Sequence, residues 1–318
     1  MIEARHLTKY FGQTLAVDDV SFKVEKGEVL GFLGPNGAGK STTMRMVTGF
    51  LHPSSGTAVI GGHDITQSPL KARKKIGYLP ENAPVYQDMT VEGFLGFIAE
   101  IRGLSGRVRD QRIAETLERC FLTPVRYQSI DTLSKGYKQR VCFAQSILHD
   151  PEYLIMDEPT DGLDPNQKHE VRSMIREMAH RKVIILSTHI LEEVEAVCTR
   201  AIIIARGKVV ADDTPQNLKV RSAIHGTLRC TIRGAGKAEL DSGFTHMEGV
   251  KAFELLEEDD KKTVFRLVPQ EIADPPLEQV VRFCADRGYT LESFRVEEGR
   301  LDEVFRTITL SGHDEAGR

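Results

Sequence analysis

A short segment near the amino terminus has the residue types and spacing of a loop that binds phosphate groups. The segment Gly34–Thr42, GPNGAGKST, fits the pattern G-x-x-x-x-G-K-[ST]. Its glycines let backbone N–H groups turn inward around an anion, and the start of the following helix adds to that field. Lys40 is expected to reach the β- and γ-phosphate oxygens, and the Ser41 hydroxyl is expected to bind Mg²⁺. The other candidate phosphate contacts within the loop are Pro35, Asn36, Gly37, Ala38 and Gly39.

Two carboxylates stand at the end of an apolar stretch further along the chain. Residues 153–156, YLIM, run directly into Asp157 and Glu158. Asp157 has the position from which a carboxylate holds Mg²⁺ through water in phosphate-loop enzymes, and Glu158 is expected to orient or deprotonate an attacking water. The alternative is a pair of solvated acids at a strand end, which the apolar residues before them disfavour.

A histidine follows the next apolar stretch. Residues 183–186, VIIL, lead through Ser187 and Thr188 to His189. This side chain is a candidate for contacting the γ-phosphate or for holding the attacking water in place. A lone histidine after a strand is more often a polar cap, so its candidacy depends on the neighbouring motifs.

The elements that must position these residues alternate between strands and helices. Such alternation predicts an α/β fold with a mostly parallel sheet covered on both faces, whose ligands lie at the carboxyl ends of the strands. Residues 1–28 alternate polar and apolar positions and predict antiparallel strands at an edge. Residues of about 86–150 predict a helical insertion. Its first helix, capped by Thr90, is expected to bury Val91, Phe94, Leu95, Ile98 and Ile101.

The composition of the chain disfavours several classes of function. The chain has 318 residues and a net charge of −4, so no basic excess suggests a nucleic-acid partner. Its five cysteines lack C-x-x-C spacing and predict reduced, buried thiols in a cytosolic protein. We find no signal peptide and no run of about 18 apolar residues, so a membrane role is expected to come through a partner.

Five motifs in a fixed order carry a family resemblance. They are GPNGAGKST, LSKGYKQR, YLIMDEP, GLDP and the histidine at a strand end. With this order, the first 215 residues or so resemble the ATP-binding subunit of an ABC transporter. The segments YLPEN, at 78–82, and LDEVF, at 301–305, resemble bacterial exporter ATPases, especially the gliding-motility-associated type.

The resemblance implies how the protein works. Family members bind ATP and Mg²⁺, hydrolyse ATP, and assemble as head-to-tail dimers on a transmembrane permease at the cytoplasmic face of the membrane. Ser134 and Gly136 would bind the γ-phosphate of ATP held by a second, identical or different, ATPase subunit. Asp164 would couple the two sites. A helix that begins after Ser134 supports this role, because its free N–H groups favour an anion.

The sequence departs from the family pattern at three places. Lys135 and Tyr137 replace a glycine and a glutamine of the usual L-S-G-G-Q motif. Glu81 stands where the family usually has a glutamine that contacts Mg²⁺ and faces the permease, and a solvated loop residue is the alternative. Phe11 best matches the aromatic residue that stacks on adenine, for which plain strand packing is an equal alternative.

Residues 222–318 predict a separate small α+β domain. The pattern of strands and helices reads βαββαβ with a closing helix, which suggests a ferredoxin-like sandwich. A helix after Pro276 is expected to bury Leu277, Val280, Val281 and Cys284. We hypothesise a regulatory or dimer-stabilising role for this domain.

Two other functional classes compete with an exporter ATPase. Superfamily members that act on nucleic acid or ribosomes usually carry paired cassettes, long coiled-coil inserts or zinc fingers, and none is evident here. A small-molecule kinase or GTPase would not explain the LSKGY helix, and no N-K-x-D motif occurs.

Overall fold

The computed structural model of the chain describes residues 1–81, 85–272 and 275–310. These residues form two compact units, the first comprising Met1–Pro215 and the second beginning at Gln216. Each unit has its own sheet and hydrophobic core, and each is described by itself.

The described part of the first unit contains a six-stranded sheet that is parallel except at one edge. Its strands are β3 (Val29–Leu33), β6 (Ile76–Leu79), β7 (Tyr153–Asp157), β8 (Val183–Thr188), β9 (Arg200–Ala205) and β10 (Lys208–Asp213). They follow the order β10-β9-β3-β8-β7-β6, and β10 alone of them runs antiparallel to its neighbour. Every residue of β3, β7 and β8 is buried, which explains their continuous apolar sequence.

A second sheet of this unit is antiparallel, as predicted for the amino-terminal residues. It comprises β1 (Ile2–Phe11), β2 (Thr14–Val24), β4 (Ser55–Ile60) and β5 (His63–Asp64) in the order β2-β1-β4-β5. Phe22 of β2 packs edge-on against Phe32 of β3 with ring centroids 4.9 Å apart, so one core joins the two sheets.

Helices cover the parallel sheet and form the predicted insertion. They are α1 (Lys40–Val47), α2 (Pro69–Lys74), α3 (Val91–Ile101), α4 (Gly106–Arg119), α5 (Lys135–Ile147), α6 (Pro165–Ala179) and α7 (Leu191–Val197). The short helix α8 (Pro215–Val220) begins at the last residue of this unit and otherwise belongs to the second. The insertion consists of α3, α4 and α5, joined by short 3-10 turns at Thr123–Val125 and Ile130–Thr132. Thr90 caps α3 as predicted, because its hydroxyl accepts a hydrogen bond from the Gly93 N–H at 3.1 Å.

One expected core position of the insertion is wrong. Val91, Phe94 and Leu95 are buried on α3, whereas Ile101 is 64% exposed. Ile101 is the last residue of α3. It keeps the helical spacing of the buried residues, but it lies past the part of the helix that other elements cover.

The second unit contains a four-stranded antiparallel sheet with helices between its strands. Its elements are β11 (Leu228–Arg233), α9 (Lys237–Phe244), β12 (Val250–Glu258), β13 (Thr263–Pro269), α10 (Leu277–Arg287), β14 (Thr290–Val296) and α11 (Leu301–Leu310). The order β12-β13-β11-β14 places the first and third strands in the centre, as in a ferredoxin-like sandwich. Phe244 packs between Phe265 and Phe283 with ring centroids 5.1 and 4.5 Å away.

The predicted inner face of α10 is correct except at one residue. Val280 and Cys284 are buried, but Val281 is 46% exposed and Phe283 is buried in its place. Successive residues on a helix are about 100° apart, so Val281 turns away from the sheet while Phe283 turns toward it.

The cysteines are free and buried, as predicted. Cys120, Cys142 and Cys198 lie in the first unit, and Cys230 and Cys284 lie in the core of the second. Burial raises the pKa of each thiol above its ordinary value. Within the described ranges, no helix combines the length and the apolar character that crossing a membrane requires.

Candidate functional site

The phosphate loop joins the buried strand β3 to helix α1. Gly37 and Gly39 have φ values of +79° and +105°, a region that side chains with a Cβ rarely adopt. A Cβ on Gly39 would lie 2.7 Å from the Ala16 carbonyl oxygen, and one on Gly34 would lie 2.4 Å from the Ile204 carbonyl oxygen. Backbone conformation and close packing therefore both require the glycines of the motif.

Lys40 is the first residue of α1 and folds back over the loop. Its ammonium donates hydrogen bonds to the carbonyl oxygens of Gly34 and Pro35, at 2.7 and 3.3 Å. Burial lowers the pKa of Lys40, and nearby carboxylates oppose that shift. These carboxylates belong to Glu158, Asp157 and Glu81. A buried ammonium beside carboxylates is well placed to bind the negative charge of a phosphate.

Asp157 ends β7 beside the first turn of α1 and is fully buried. Its Oδ1 atom accepts hydrogen bonds from the Ser41 hydroxyl, at 3.1 Å, and from the Ser187 hydroxyl. Its Oδ2 atom is buried and has no hydrogen-bonding partner among the described residues. An unsatisfied buried carboxylate oxygen is costly, so a cation or its water is the expected partner.

This donor set fits Mg²⁺. Mg²⁺ prefers oxygen ligands and usually takes only one or two carboxylates, with waters and substrate phosphates completing its shell. Ser41 and Asp157 supply such a partial set. Consistent with it, residues 1–81, 85–272 and 275–310 contain no cluster of three or more His, Cys, Asp or Glu side chains that could hold a metal alone.

Glu158 and His189 are brought together at the ends of neighbouring strands. The Nδ1 atom of His189 lies 3.0 Å from Oε2 of Glu158. The Glu158 backbone has φ +52°, an unusual value for a residue other than glycine, and its carbonyl accepts a 3.4 Å hydrogen bond from Gln139. Its side chain is 10% exposed while that of His189 is 52% exposed. Glu158 is thus a largely desolvated carboxylate with one oriented partner.

A cavity of about 240 Å³ connects the loop to this carboxylate. Its lining includes Lys40, Ser41 and Thr42 from the loop, and Glu158 and Glu81 from the strand ends. The sequence analysis proposed all five of these residues for the same site, with Glu81 as a contact for Mg²⁺. Ala16 of β2 also lines the cavity, and we had not singled it out from the sequence.

Phe11 and His189 do not belong to the described lining of that cavity. Phe11 ends β1 and is 50% exposed, with the Lys9 ammonium 5.4 Å from its ring centroid. An exposed ring of this kind is free to stack on a base, so its assignment stays a prediction.

Ser134, Gly136 and Asp164 also lie outside the described lining of the phosphate cavity. Ser134 caps α5 by accepting a hydrogen bond from the Tyr137 N–H at 3.3 Å, as predicted, and Asp164 caps α6 by accepting one from Gln167 at 3.0 Å. A Cβ on Gly136 would lie 2.6 Å from the Gln167 side-chain oxygen. These residues form a second group, none of which lines the cavity beside the loop.

Lys135 within the signature helix has a partner in its own chain. Its ammonium lies 2.8 Å from the Asp161 carboxylate, and this contact lowers the pKa of Asp161. The extra positive charge that the sequence places beside Ser134 is therefore offset in this structure.

Glu193 is a buried residue of the site that the sequence reasoning missed. It is 2% exposed on α7 and accepts a hydrogen bond from the Thr188 hydroxyl at 2.8 Å and another from the Thr160 hydroxyl. Burial raises the pKa of Glu193. Because Thr188 precedes His189 and Thr160 follows Glu158 by two residues, Glu193 ties the two reactive segments together. A glutamate on the apolar face of a short helix was the available signal.

The fold and the site together define a class, the phosphate-loop nucleotide-binding proteins. Comparison with known proteins then gives the family. Residues 17–161 match the family described as ABC transporter. The chain belongs to the ABC transporter ATP-binding proteins, as its whole-length relatives establish.

Two curated relatives and one solved structure support this assignment. YbhF of Escherichia coli (strain K12), a probable multidrug ABC transporter ATP-binding protein, is 42% identical over 70% of this chain, which spans only 39% of YbhF. LnrL of Bacillus subtilis (strain 168), a linearmycin resistance ATP-binding protein, is 32% identical over 97% of this chain and 98% of LnrL. A solved ATP-binding subunit of an ABC transporter has a TM-score of 0.65 at 32% identity, covering 69% of this chain and 92% of its own.

The narrower resemblance to gliding-motility-associated ATPases stays a prediction. Asn82, one of the residues that suggested it, lies outside the described residues, as do Ala83 and Pro84.

Proposed function

We propose that this chain hydrolyses ATP in the cavity beside the phosphate loop and thereby powers export through a separate transmembrane permease. One observation carries the proposal: Glu158, a desolvated carboxylate that His189 contacts, lines the same cavity as Lys40 of the loop. A phosphate-loop protein that only bound nucleotide would not need a positioned base there.

The proposed reaction breaks the bond between the β–γ bridging oxygen and the γ-phosphorus. Glu158 takes a proton from water, the water oxygen bonds to the γ-phosphorus, and ADP leaves with the bridging electron pair. Lys40 exchanges its carbonyl partners for phosphate oxygens and offsets their charge. Ser41 and Asp157 would hold Mg²⁺, which would supply further charge neutralisation for the phosphates when bound.

The second group of residues supports a dimer. Ser134 and Gly136 lie at the N-terminus of α5, where free N–H groups favour an anion, yet they do not line their own chain's cavity. We infer that they complete the ATP site of a second ATPase subunit, identical or different, and that Asp164 at the start of α6 lies at the same interface.

Exposed apolar side chains near the helical insertion support a permease partner. Phe50, Tyr86 and Ile101 are 76%, 55% and 64% exposed. Phe50 also lines a cavity of about 290 Å³ together with Tyr78. From the family resemblance we expect the coupling surface to comprise residues 81–89 and the adjacent helix α3, and Tyr86 and Ile101 belong to these segments, although 82–84 lie outside the described residues. We infer that a permease covers these side chains at the cytoplasmic face of the membrane.

The direction of transport rests on relatives' names alone. YbhF is named for multidrug transport and LnrL for linearmycin resistance. We propose export for this chain by analogy. The alternative of a non-transport ATPase acting on nucleic acid or ribosomes gains nothing from the reported relatives.

Replacing the proposed base tests the reaction. Glu158→Gln is expected to lower kcat for ATP hydrolysis by about 10²–10⁴-fold, to leave ATP affinity nearly unchanged, and to give an ATP-trapped dimer by gel filtration. Glu152→Gln, at an exposed acid just before β7, is the matched control and should keep full activity. A monomeric Glu158→Gln variant with normal turnover would contradict the proposal.

Co-purification tests the partner. The tagged chain is expressed in its native host and purified from detergent-solubilised membranes. A retained membrane protein supports transport, whereas retained nucleic acid or ribosomes would favour the alternative.

A further inference from the structure

Three arginines occupy directly paired positions on neighbouring strands of the second unit. Arg229 on β11 pairs with Arg266 on β13 and with Arg295 on β14. Leu228 and Cys230 of β11 lie in the core, so Arg229 and its paired neighbours lie on the opposite face of the sheet. Paired residues have Cβ atoms about 5 Å apart, and like charges at such positions repel each other.

Two carboxylates offset part of this repulsion. Glu297, which is 8% exposed, accepts a hydrogen bond from Arg266 Nε at 2.9 Å and one from Arg295 at 3.3 Å. Glu254 accepts a third, from Arg266 Nη1 at 2.7 Å. Arg266 is therefore fixed by two carboxylates, and Arg295 is held at one side only.

Arg229 stands between these two arginines without compensation. Across the residues that the structure describes, its side chain has no ion pair and no hydrogen-bonding partner. The row consequently sets three guanidinium groups against two carboxylates, and the excess positive charge lies at its centre.

A cavity of about 390 Å³ opens at this row. All three arginines line it, with Val296 and Ile224 supplying apolar surface. Arg300 also lines it but donates two hydrogen bonds to Asp302, and Glu298 is an exposed carboxylate of its rim. The cavity thus offers the guanidinium of Arg229 and the remaining N–H donors of Arg295 in a space large enough for a small anion.

We propose that this groove binds a phosphate group, with Arg229 and Arg295 as its ligands. Planar guanidinium groups bind phosphate oxygens in pairs, and a phosphate between the two arginines would offset the repulsion along the row. Arg266 and Glu297 position the row rather than contact the anion. The phosphate belongs either to a free phosphorylated compound or to a lipid headgroup, since both present the same oxyanion. This site would add a ligand that is distinct from the nucleotide of the first unit.

The first arm of the test uses inorganic pyrophosphate and the whole chain in titration calorimetry. We expect two pyrophosphates per chain, of which Lys40→Ala removes one and Arg229→Gln weakens the other by about tenfold or more. Arg233→Gln is the matched control: Arg233 lies on the same strand and face, pairs with Glu292, and does not line the cavity. It should keep both sites.

The second arm uses sedimentation with phosphatidylglycerol vesicles, and phosphatidylcholine vesicles as the uncharged reference. The proposal is supported if either anionic probe binds, if Arg229→Gln removes that binding and if Arg233→Gln retains it. The probe that binds then identifies the source of the phosphate. Binding of neither probe, or equal binding by Arg229→Gln, overturns the proposal. Thermal unfolding checks that both variants fold. If Arg229→Gln does not fold, the test is repeated with Arg295→Gln.

Discussion

The Nδ1 atom of His189 lies 3.0 Å from the Oε2 atom of Glu158. An ionised carboxylate only accepts hydrogen bonds, so Nδ1 must carry the proton of this contact. The imidazole therefore fixes one oxygen of the proposed base and leaves its own Nε2 for another partner. We therefore propose that His189 acts on the water through Glu158, as well as through any contact of its own with phosphate.

This contact predicts that the two residues act as a unit. Glu158→Gln and His189→Ala should each lower kcat by about 10²-fold or more, and the double variant should be little worse than Glu158→Gln alone. Steady-state ATPase kinetics of the four proteins measure the coupling, with His169→Ala on the exposed face of α6 as control. Independent losses that multiply in the double variant would show that the contact does not matter for turnover.

Variants of two helix caps distinguish an effect on stability from an effect on function. Ser134→Ala and Thr90→Ala each remove a side-chain cap, from α5 and α3, and each should cost about 1 kcal/mol in the free energy of unfolding. Only Ser134→Ala should also reduce ATP-dependent dimerisation and hydrolysis, since Thr90 is not a proposed phosphate contact. Urea unfolding and gel filtration with ATP measure the two effects. Equal hydrolysis by both variants would remove Ser134 from the proposed site.

Glu193 should affect both stability and turnover. Glu193→Ala leaves the Thr160 and Thr188 hydroxyls without their acceptor, at a cost of roughly 1–3 kcal/mol in unfolding free energy. Because those threonines flank the reactive residues, kcat should fall at temperatures where the variant is fully folded, with KM less changed. Glu193→Gln keeps one acceptor and should recover part of the activity, and Glu192→Ala, next to it and exposed, should change neither quantity. A purely structural role for Glu193 would leave kcat of the folded variant intact.

His149 predicts a loss of stability in mild acid. Burial lowers the pKa of its imidazole from 6.5 to about 4, with Arg102 adding to the effect. Its Nδ1 atom is buried and has no partner among the described residues, while Nε2 faces the Ile76 carbonyl at 3.1 Å. Between pH 6.5 and 4 the unfolded chain binds a proton that the folded chain does not, so stability falls as pH falls through this window.

The size of this effect follows from the shift of the pKa. A shift of about 2.5 pH units corresponds to at most roughly 3.4 kcal/mol of unfolding free energy. Urea unfolding of the wild type and of His149→Gln at pH 7 and pH 4.5 measures it, and the variant should show a smaller decrease. His169→Gln, an exposed control, should behave as the wild type does. Parallel pH profiles for the wild type and His149→Gln would assign the acid sensitivity to other groups.

The sequence predicted the sheet, the insertion and the convergence of the site, because each depends on local pattern. Apolar runs that end in polar residues specify buried parallel strands, and the strand ends meet at one edge. Exposure of Ile101 and Val281 was not predictable in the same way, since periodicity defines a face but not the extent of its cover.

Contacts that depend on strand register could not be predicted from the sequence either. Arg229, Arg266 and Arg295 are far apart in the chain, and only the order of the strands makes them neighbours. Glu193 was missed for a related reason, because its threonine partners come from two different loops.

The buried cysteines allow the order of unfolding of the two units to be followed by mass spectrometry. Three thiols lie in the unit Met1–Pro215 and two in the unit that begins at Gln216. An alkylating reagent present during partial denaturation reacts only with thiols that have become accessible. Intact-mass spectra would then show whether two, three or all five thiols are alkylated first. That number identifies which of the two units opens first.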